Sequence, residues 1–150
     1  MADLDGGMMA QRTVGRRTGQ GFGRVLVTVY GVLAFAALGR SSYELVVKFD
    51  EAPVAYTLST LAAIVYVVAT FALAIGSPAW RLVAWITVGI EAVGVVTVGA
   101  LSLADAQAFG ESTVWSGFGQ GYGYVPLVLP FVGLWWLWRT SRSTPEERTA

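Results

Sequence analysis

Cysteine and histidine are both absent from this 150-residue chain. Their absence excludes a disulfide framework, thiol nucleophiles and Cys/His metal sites, and with them histidine-based acid–base catalysis. Charge is scarce as well. Only 13% of the residues are charged, against roughly 25% in an ordinary soluble domain. The 10 basic residues equal the 10 acidic ones, so no excess of either sign points to nucleic acid or an acidic substrate. Disorder is excluded by the opposite property: 55% of the residues are hydrophobic, whereas disorder needs low hydrophobicity and high net charge.

What the chain has instead is long apolar runs. A helix needs about 20 residues to cross a hydrocarbon core about 30 Å thick, and four stretches are candidates. The first starts after Arg24, is uncharged from Val25 to Gly39 and continues less apolar to Val47. The second, Pro53 to Ile75, is uncharged; the third, from about Ala79 to Leu103, contains Arg81 near its start and Glu91 inside. The fourth, Tyr122 to Trp138, is short and holds Pro126 and Pro130. These spacings predict an all-α, polytopic membrane protein with four transmembrane helices over about 25–47, 53–75, 79–103 and 122–138. Residues 24–139 form the membrane domain, 1–23 a disordered basic segment and 140–150 a solvated tail.

Local chemistry agrees with these boundaries. In Gly76-Ser77-Pro78, glycine suits the left-handed position after a helix, serine the next N-cap and proline its first turn. Segments two and three therefore read as a tight helical hairpin. Basic residues gather on cytoplasmic flanks. With the N-terminus inside, Arg12, Arg16, Arg17, Arg24, Arg81, Arg139, Arg142 and Arg148 fall on the cytoplasmic side, and only Arg40 and Lys48 outside. The expected arrangement is an antiparallel bundle in the plasma membrane with both termini cytoplasmic. Trp80, Trp85, Trp135, Trp136 and Trp138 suit an inner aromatic belt, and Tyr43, Tyr56, Trp115, Tyr122 and Tyr124 an outer one. Segment one also has the outline of a cleavable signal peptide ending near Ala37-Leu38-Gly39. Against cleavage, apolar character resumes with Tyr43, Leu45, Val46 and Val47, and Arg40, Glu44 and Lys48 continue one helical face.

Glu91 is the leading site candidate. It lies about 15 Å beyond Arg81 along a helix, close to mid-membrane, where a charge costs about 3 kcal/mol on insertion scales. Such residues face the protein interior and often carry function. Tyr30, about 9 Å above Arg24, and Tyr66, about 20 Å below Pro53, fall at depths that bring their phenols toward it. Arg40 either snorkels outward or reaches down to the carboxylate. Two readings of Glu91 stay open: a neutral carboxyl that fixes helix packing with one hydrogen bond, or a proton-, ion- or ligand-binding site.

The segment 104–123 is the second feature, with glycine at 117, 119, 121 and 123 alternating with Phe118, Gln120 and Tyr122. Glycine permits close folding, and Trp115, Phe118, Tyr122 and Tyr124 suit the headgroup level. It reads either as an interfacial loop on the bilayer or as a lid over a ligand at the outer face. Its Gly-Tyr-Gly string lacks the flanks of a potassium filter, and no strand precedes it as a dinucleotide fingerprint requires. Arg40, Glu44 and Lys48 read as a solvated charged face. Gly89, Gly94, Gly99 and Ala100 permit close helix approach in segment three.

Several of these residues carry a family resemblance. Lys48-Phe49-Asp50-Glu51-Ala52-Pro53, Glu91, and Thr113-Val114-Trp115-Ser116 with Gly121-Tyr122 ahead of Pro126 and Pro130 resemble a family of small four-helix membrane proteins of actinobacteria, over about residues 24–139. The resemblance implies no activity. DoxX-type four-helix proteins are similar in helix count and length only. No nucleophile–base pair can be assembled from these residues, so an enzyme is not expected, and neither cofactor nor metal is implied. The favoured expectation is a non-enzymatic accessory or structural subunit of a cell-envelope assembly. The alternative is a small proton-coupled carrier using Glu91. Expected partners are the lipid bilayer and either a larger membrane protein or a second copy of the chain, not nucleic acid.

Overall fold

The computed structural model describes residues 3–142, with side chains from Gly21 onward. Four helices make up the bundle: α1 (Asp3–Val47), α2 (Pro53–Ile75), α3 (Pro78–Ala104) and α4 (Val125–Ser141). A single 3₁₀ turn, Phe49–Glu51, joins α1 to α2, and three more (Ala106–Phe109, Ser116–Phe118 and Gln120–Tyr122) lie between α3 and α4. Among the described residues there is no strand. The described part of α1, and all of α2 and α3, are long and apolar enough to cross a membrane. At 17 residues, α4 is shorter and extends about 25 Å.

The expected disordered segment 1–23 is corrected, because α1 begins at Asp3 and takes in residues 3–23; Met1 and Ala2 lie outside the described residues. Most of the tail, 143–150, is likewise outside the described residues. The fourth helix begins at Val125 rather than Tyr122. Gly119, Gly123 and Tyr124 hold left-handed φ values of 81°, 63° and 60°, and no right-handed helix propagates through such a run. Pro126 then falls in the first turn of α4, where its missing N–H is harmless. The α2–α3 turn follows the sequence except at its cap: Gly76 is left-handed and Pro78 opens α3, but Ser77 makes no side-chain capping bond.

The buried stripes explain the packing. Leu26, Tyr30, Leu33, Ala34, Ala37 and Ser41 face inward from α1, and Ala55, Ser59, Ala62, Ala63, Tyr66, Ala69 and Leu73 from α2. Both repeat at the three- and four-residue spacing of a helix face, and their many small residues let backbones approach closely. α1 packs along α2, α2 along α3 and α3 along α4, whereas α1 and α4 barely meet. Where they do, Phe22 meets Trp135 edge-on with ring centroids 6.0 Å apart. The Trp136 ring also covers Gly23 so closely that an added Cβ would stand 3.0 Å from it. That contact lies at the end of the bundle holding the α2–α3 turn, the turn end; the connection between α3 and α4 covers the opposite, loop end.

Candidate functional site

Glu91 sits midway along α3 and is 0% exposed. Val88 and Val95, one turn on either side along the same stripe, are equally buried. Neither carboxyl oxygen has a hydrogen-bond partner among the described residues. The Tyr30 phenol of α1 lies next to the carboxyl without closing a regular hydrogen bond, and Tyr66 of α2 stands within electrostatic reach. The two phenol rings are 6.3 Å apart. From α4, Gly133 completes the enclosure: a Cβ there would come within 3.2 Å of both Tyr30 Oη and Val88 Cγ1. One residue from each helix thus meets around a buried carboxyl. Such unpaired buried groups are rare in folded proteins and call for an explanation.

The connection between α3 and α4 closes the loop end of this centre. Thr113 and Ser116 bond reciprocally, Thr113 N–H donating to Ser116 Oγ (2.8 Å) and Ser116 N–H to Thr113 Oγ1 (3.0 Å). That tight turn drives Val114 and Trp115 inward, and both are buried. The Trp115 ring lies on Gly94, one turn beyond Glu91, where a Cβ would stand 2.8 Å from it. Its Nε1–H donates to Tyr66 Oη across 3.3 Å. Phe118 lies on Gly99 in the same way, held by a left-handed backbone with φ of 60°. Two polar tethers fix the loop: Gly117 N–H donates to Ser102 Oγ (2.8 Å) and Arg40 Nη2 to the Ser112 carbonyl (3.0 Å).

Three sequence expectations are corrected here, and one of two alternatives for Arg40 is found. Arg40 turns away from Glu91: its Nε–H donates to Glu44 Oε1 at 2.6 Å, and its other end reaches Ser112. Glu44 is buried rather than part of a solvated face. Trp115 and Tyr56 are buried too, so neither belongs to an exposed aromatic belt. Gly94 and Gly99 receive aromatic rings from the loop rather than a neighbouring helix, while Gly89 has nothing within 4 Å of a built Cβ. Tyr122 is half-buried beside Arg40, and Tyr124 is exposed at the start of α4. The outer-loop candidates divide: Trp115 bonds to Tyr66 of the buried centre, Tyr122 stands within electrostatic reach of Tyr66, and Phe118 lies on Gly99.

Sequence reasoning missed Gly133, Ser102, Ser112 and the Thr113/Ser116 turn. The last had a local signal, hydroxyl residues three apart, which commonly cap each other's backbone. Gly133 and Ser112 had none, because their partners lie in distant segments. Outside the plug, an open groove of about 660 Å³ is lined by Arg40, Ser102, Glu111, Ser112, Thr113 and Gln120. Among the described residues no cluster of three or more metal-binding side chains occurs. The centre can hold a proton or donate and accept hydrogen bonds; it offers no nucleophile poised beside a base. No protein-family model, curated protein or solved structure matches the chain.

Proposed function

We propose that the chain crosses the plasma membrane four times, with both termini cytoplasmic, and works as a small carrier that exchanges a proton at Glu91. Four spans are supported by three helices of sufficient length and by α4, whose 17 residues carry tryptophans and Arg139 at one end. Arg139 lies over Trp135 and Arg142 over Trp138, an arrangement suited to a membrane–water boundary. The orientation rests on eight arginines on one flank against Arg40 and Lys48 on the other. Kinship with the small actinobacterial four-helix proteins belongs to the same proposal.

A single observation carries the function: the Glu91 carboxyl is fully buried between two phenols with no protein hydrogen bond of its own. A carboxyl kept only to fix packing would be expected to close at least one such bond, since that bond is its structural worth. A carboxyl that gains and loses a proton must instead be free to change partners. The test is infrared titration of the reconstituted chain alongside proton uptake after a pH step. One carboxyl band should titrate, and Glu91→Gln should remove both the band and the uptake while the helical spectrum stays intact. Uptake unchanged in Glu91→Gln overturns the reading.

The accessory-subunit reading has its own support in the outer side of α1, where Phe35 and Val46 are 83% and 84% exposed. A helix of a larger membrane protein would cover them. Gentle solubilisation followed by mass spectrometry decides: a stoichiometric partner favours the subunit, and recovery of the chain alone favours the carrier.

A further inference from the structure

We infer that the seam between α1 and α4 admits a membrane-soluble amphiphile, an uncharged oxygen-bearing head on an apolar tail, to the centre formed by Tyr30 and Glu91. The inference rests on the reading of that centre given above and supplies its substrate class.

Three of the four helix seams are packed along their length, and the loop end is plugged by Val114 and Trp115. At the turn end, Leu137 is 2% exposed beside a notch of about 100 Å³. The fourth seam differs. α1 and α4 are clasped at the turn end by Phe22 with Trp135 and by Gly23 with Trp136. Beyond that clasp they leave a groove of about 350 Å³, whose walls include Val25, Val29, Val128 and Val132 and whose floor is Leu26 and Leu129.

The floor adjoins the centre directly. Leu26 precedes Tyr30 by one turn of α1, and Leu129 precedes Gly133 by one turn of α4; Tyr30 Oη meets the Gly133 backbone and has no hydrogen-bond partner. Side-chain movement of two leucines therefore separates the groove from an unpartnered hydroxyl and an unpartnered carboxyl. An apolar groove takes an apolar tail by the area it removes from water or looser lipid packing. No charged side chain lines it, so a phosphate head would be desolvated without a partner, and a trimethylammonium head, with neither donor nor acceptor, can hydrogen-bond to neither Tyr30 nor Glu91. An alcohol or carbonyl oxygen, by contrast, can accept from Tyr30 and share a proton with Glu91.

The test uses the full chain in lipid nanodiscs and a long-chain alcohol carrying a diazirine in its tail, with adducts mapped by mass spectrometry. Adducts should concentrate several-fold on residues 25–29 and 128–132 over the exposed faces of α2 and α3. Excess unlabelled alcohol should compete, while the same chain ending in a phosphate monoester or a trimethylammonium should not. Tyr30→Phe should weaken competition by the alcohol roughly three- to tenfold, the worth of one hydrogen bond. Leu129→Trp should abolish groove labelling. Val128→Trp, on a wall residue 57% exposed, gives the same block without touching the core. Labelling spread evenly around the bundle, equal competition by charged chains, or wild-type competition in Tyr30→Phe would each overturn the inference. Labelling reads occupancy rather than proton movement, so failure of the carrier reading at Glu91→Gln is a separate result.

Discussion

The indole Nε1 of Trp115 donates to the Tyr66 hydroxyl across 3.3 Å, and this bond joins the connection between α3 and α4 to a fully buried phenol of α2. Tyr66 stands beside the Tyr30 ring and within electrostatic reach of Glu91. Trp115 is positioned by a turn that Thr113 and Ser116 close between themselves. The loop is thus linked to the surroundings of the buried carboxyl through one donor, one acceptor and one pair of rings.

Trp115→Phe keeps a ring over Gly94 but removes the donor, and should destabilise the bundle by about 1 kcal/mol. Tyr66→Phe leaves the indole N–H buried without an acceptor, which costs about 1–3 kcal/mol. The double variant should be no less stable than Tyr66→Phe alone, because the orphaned donor is gone. Chemical unfolding in mild detergent measures all three. Simple addition of the two single effects would show that the bond carries no coupling.

Gly94 and Gly99 are small because loop aromatics lie on them, and this separates them from Gly89. In a helix, alanine is intrinsically favoured over glycine by about 1 kcal/mol. Gly89→Ala, with nothing within 4 Å, should therefore be neutral or stabilising. Gly94→Ala places a Cβ 2.8 Å from Trp115, and Gly99→Ala drives one into the Phe118 ring. Overpacking of this kind costs about 1–3 kcal/mol. Both should lower the melting temperature and speed proteolysis between residues 105 and 124. A stabilised Gly94→Ala with an unchanged proteolysis rate would mean that Trp115 does not rest on α3.

Arg40 and Glu44 form a pair with side chains 34% and 11% exposed. Arg40→Gln strands the more buried partner and loosens the Ser112 tether, and should cost about 1–2 kcal/mol, below the 3–5 kcal/mol of a fully buried pair. Adding Glu44→Gln should restore most of that loss. A double variant as unstable as the sum would place the stabilisation in the tether rather than the pair.

How far the sequence spoke follows from these residues. The bounds of α2 and α3 and the end of α1 were legible because long apolar runs mark them, and the Gly76-Ser77-Pro78 turn because its residue types are local; the polar residues ahead of Val25 gave no such mark for the start of α1 at Asp3. Glu91 and the depths of Tyr30 and Tyr66 followed from helix rise alone. The loop was not legible in the same way. Its alternating glycines and aromatics suit a surface segment as well as a plug, and the difference lies in Gly94 and Gly99, which are set against Trp115 and Phe118 only once the chain has folded. Arg40 stayed undecided for the same reason: the sequence left outward and inward alternatives open, and the Ser112 carbonyl that it reaches is far away in the chain.

The sharpest contrast concerns Glu91→Leu. A buried polar group with no protein partner contributes nothing to packing that an apolar side chain of similar volume does not supply better. Glu91→Leu should therefore raise stability, by about 1–3 kcal/mol, as charged-to-apolar replacements in cores often do, while proton uptake disappears. That pairing of gain and loss is what a strained functional position shows. A packing carboxyl would behave in the opposite way, because Leu would then remove a bond the helices need. Parallel unfolding and proton-uptake measurements on wild type, Glu91→Gln and Glu91→Leu separate the two. A Glu91→Leu bundle that is less stable than wild type would assign the carboxyl to the fold and remove it from the mechanism.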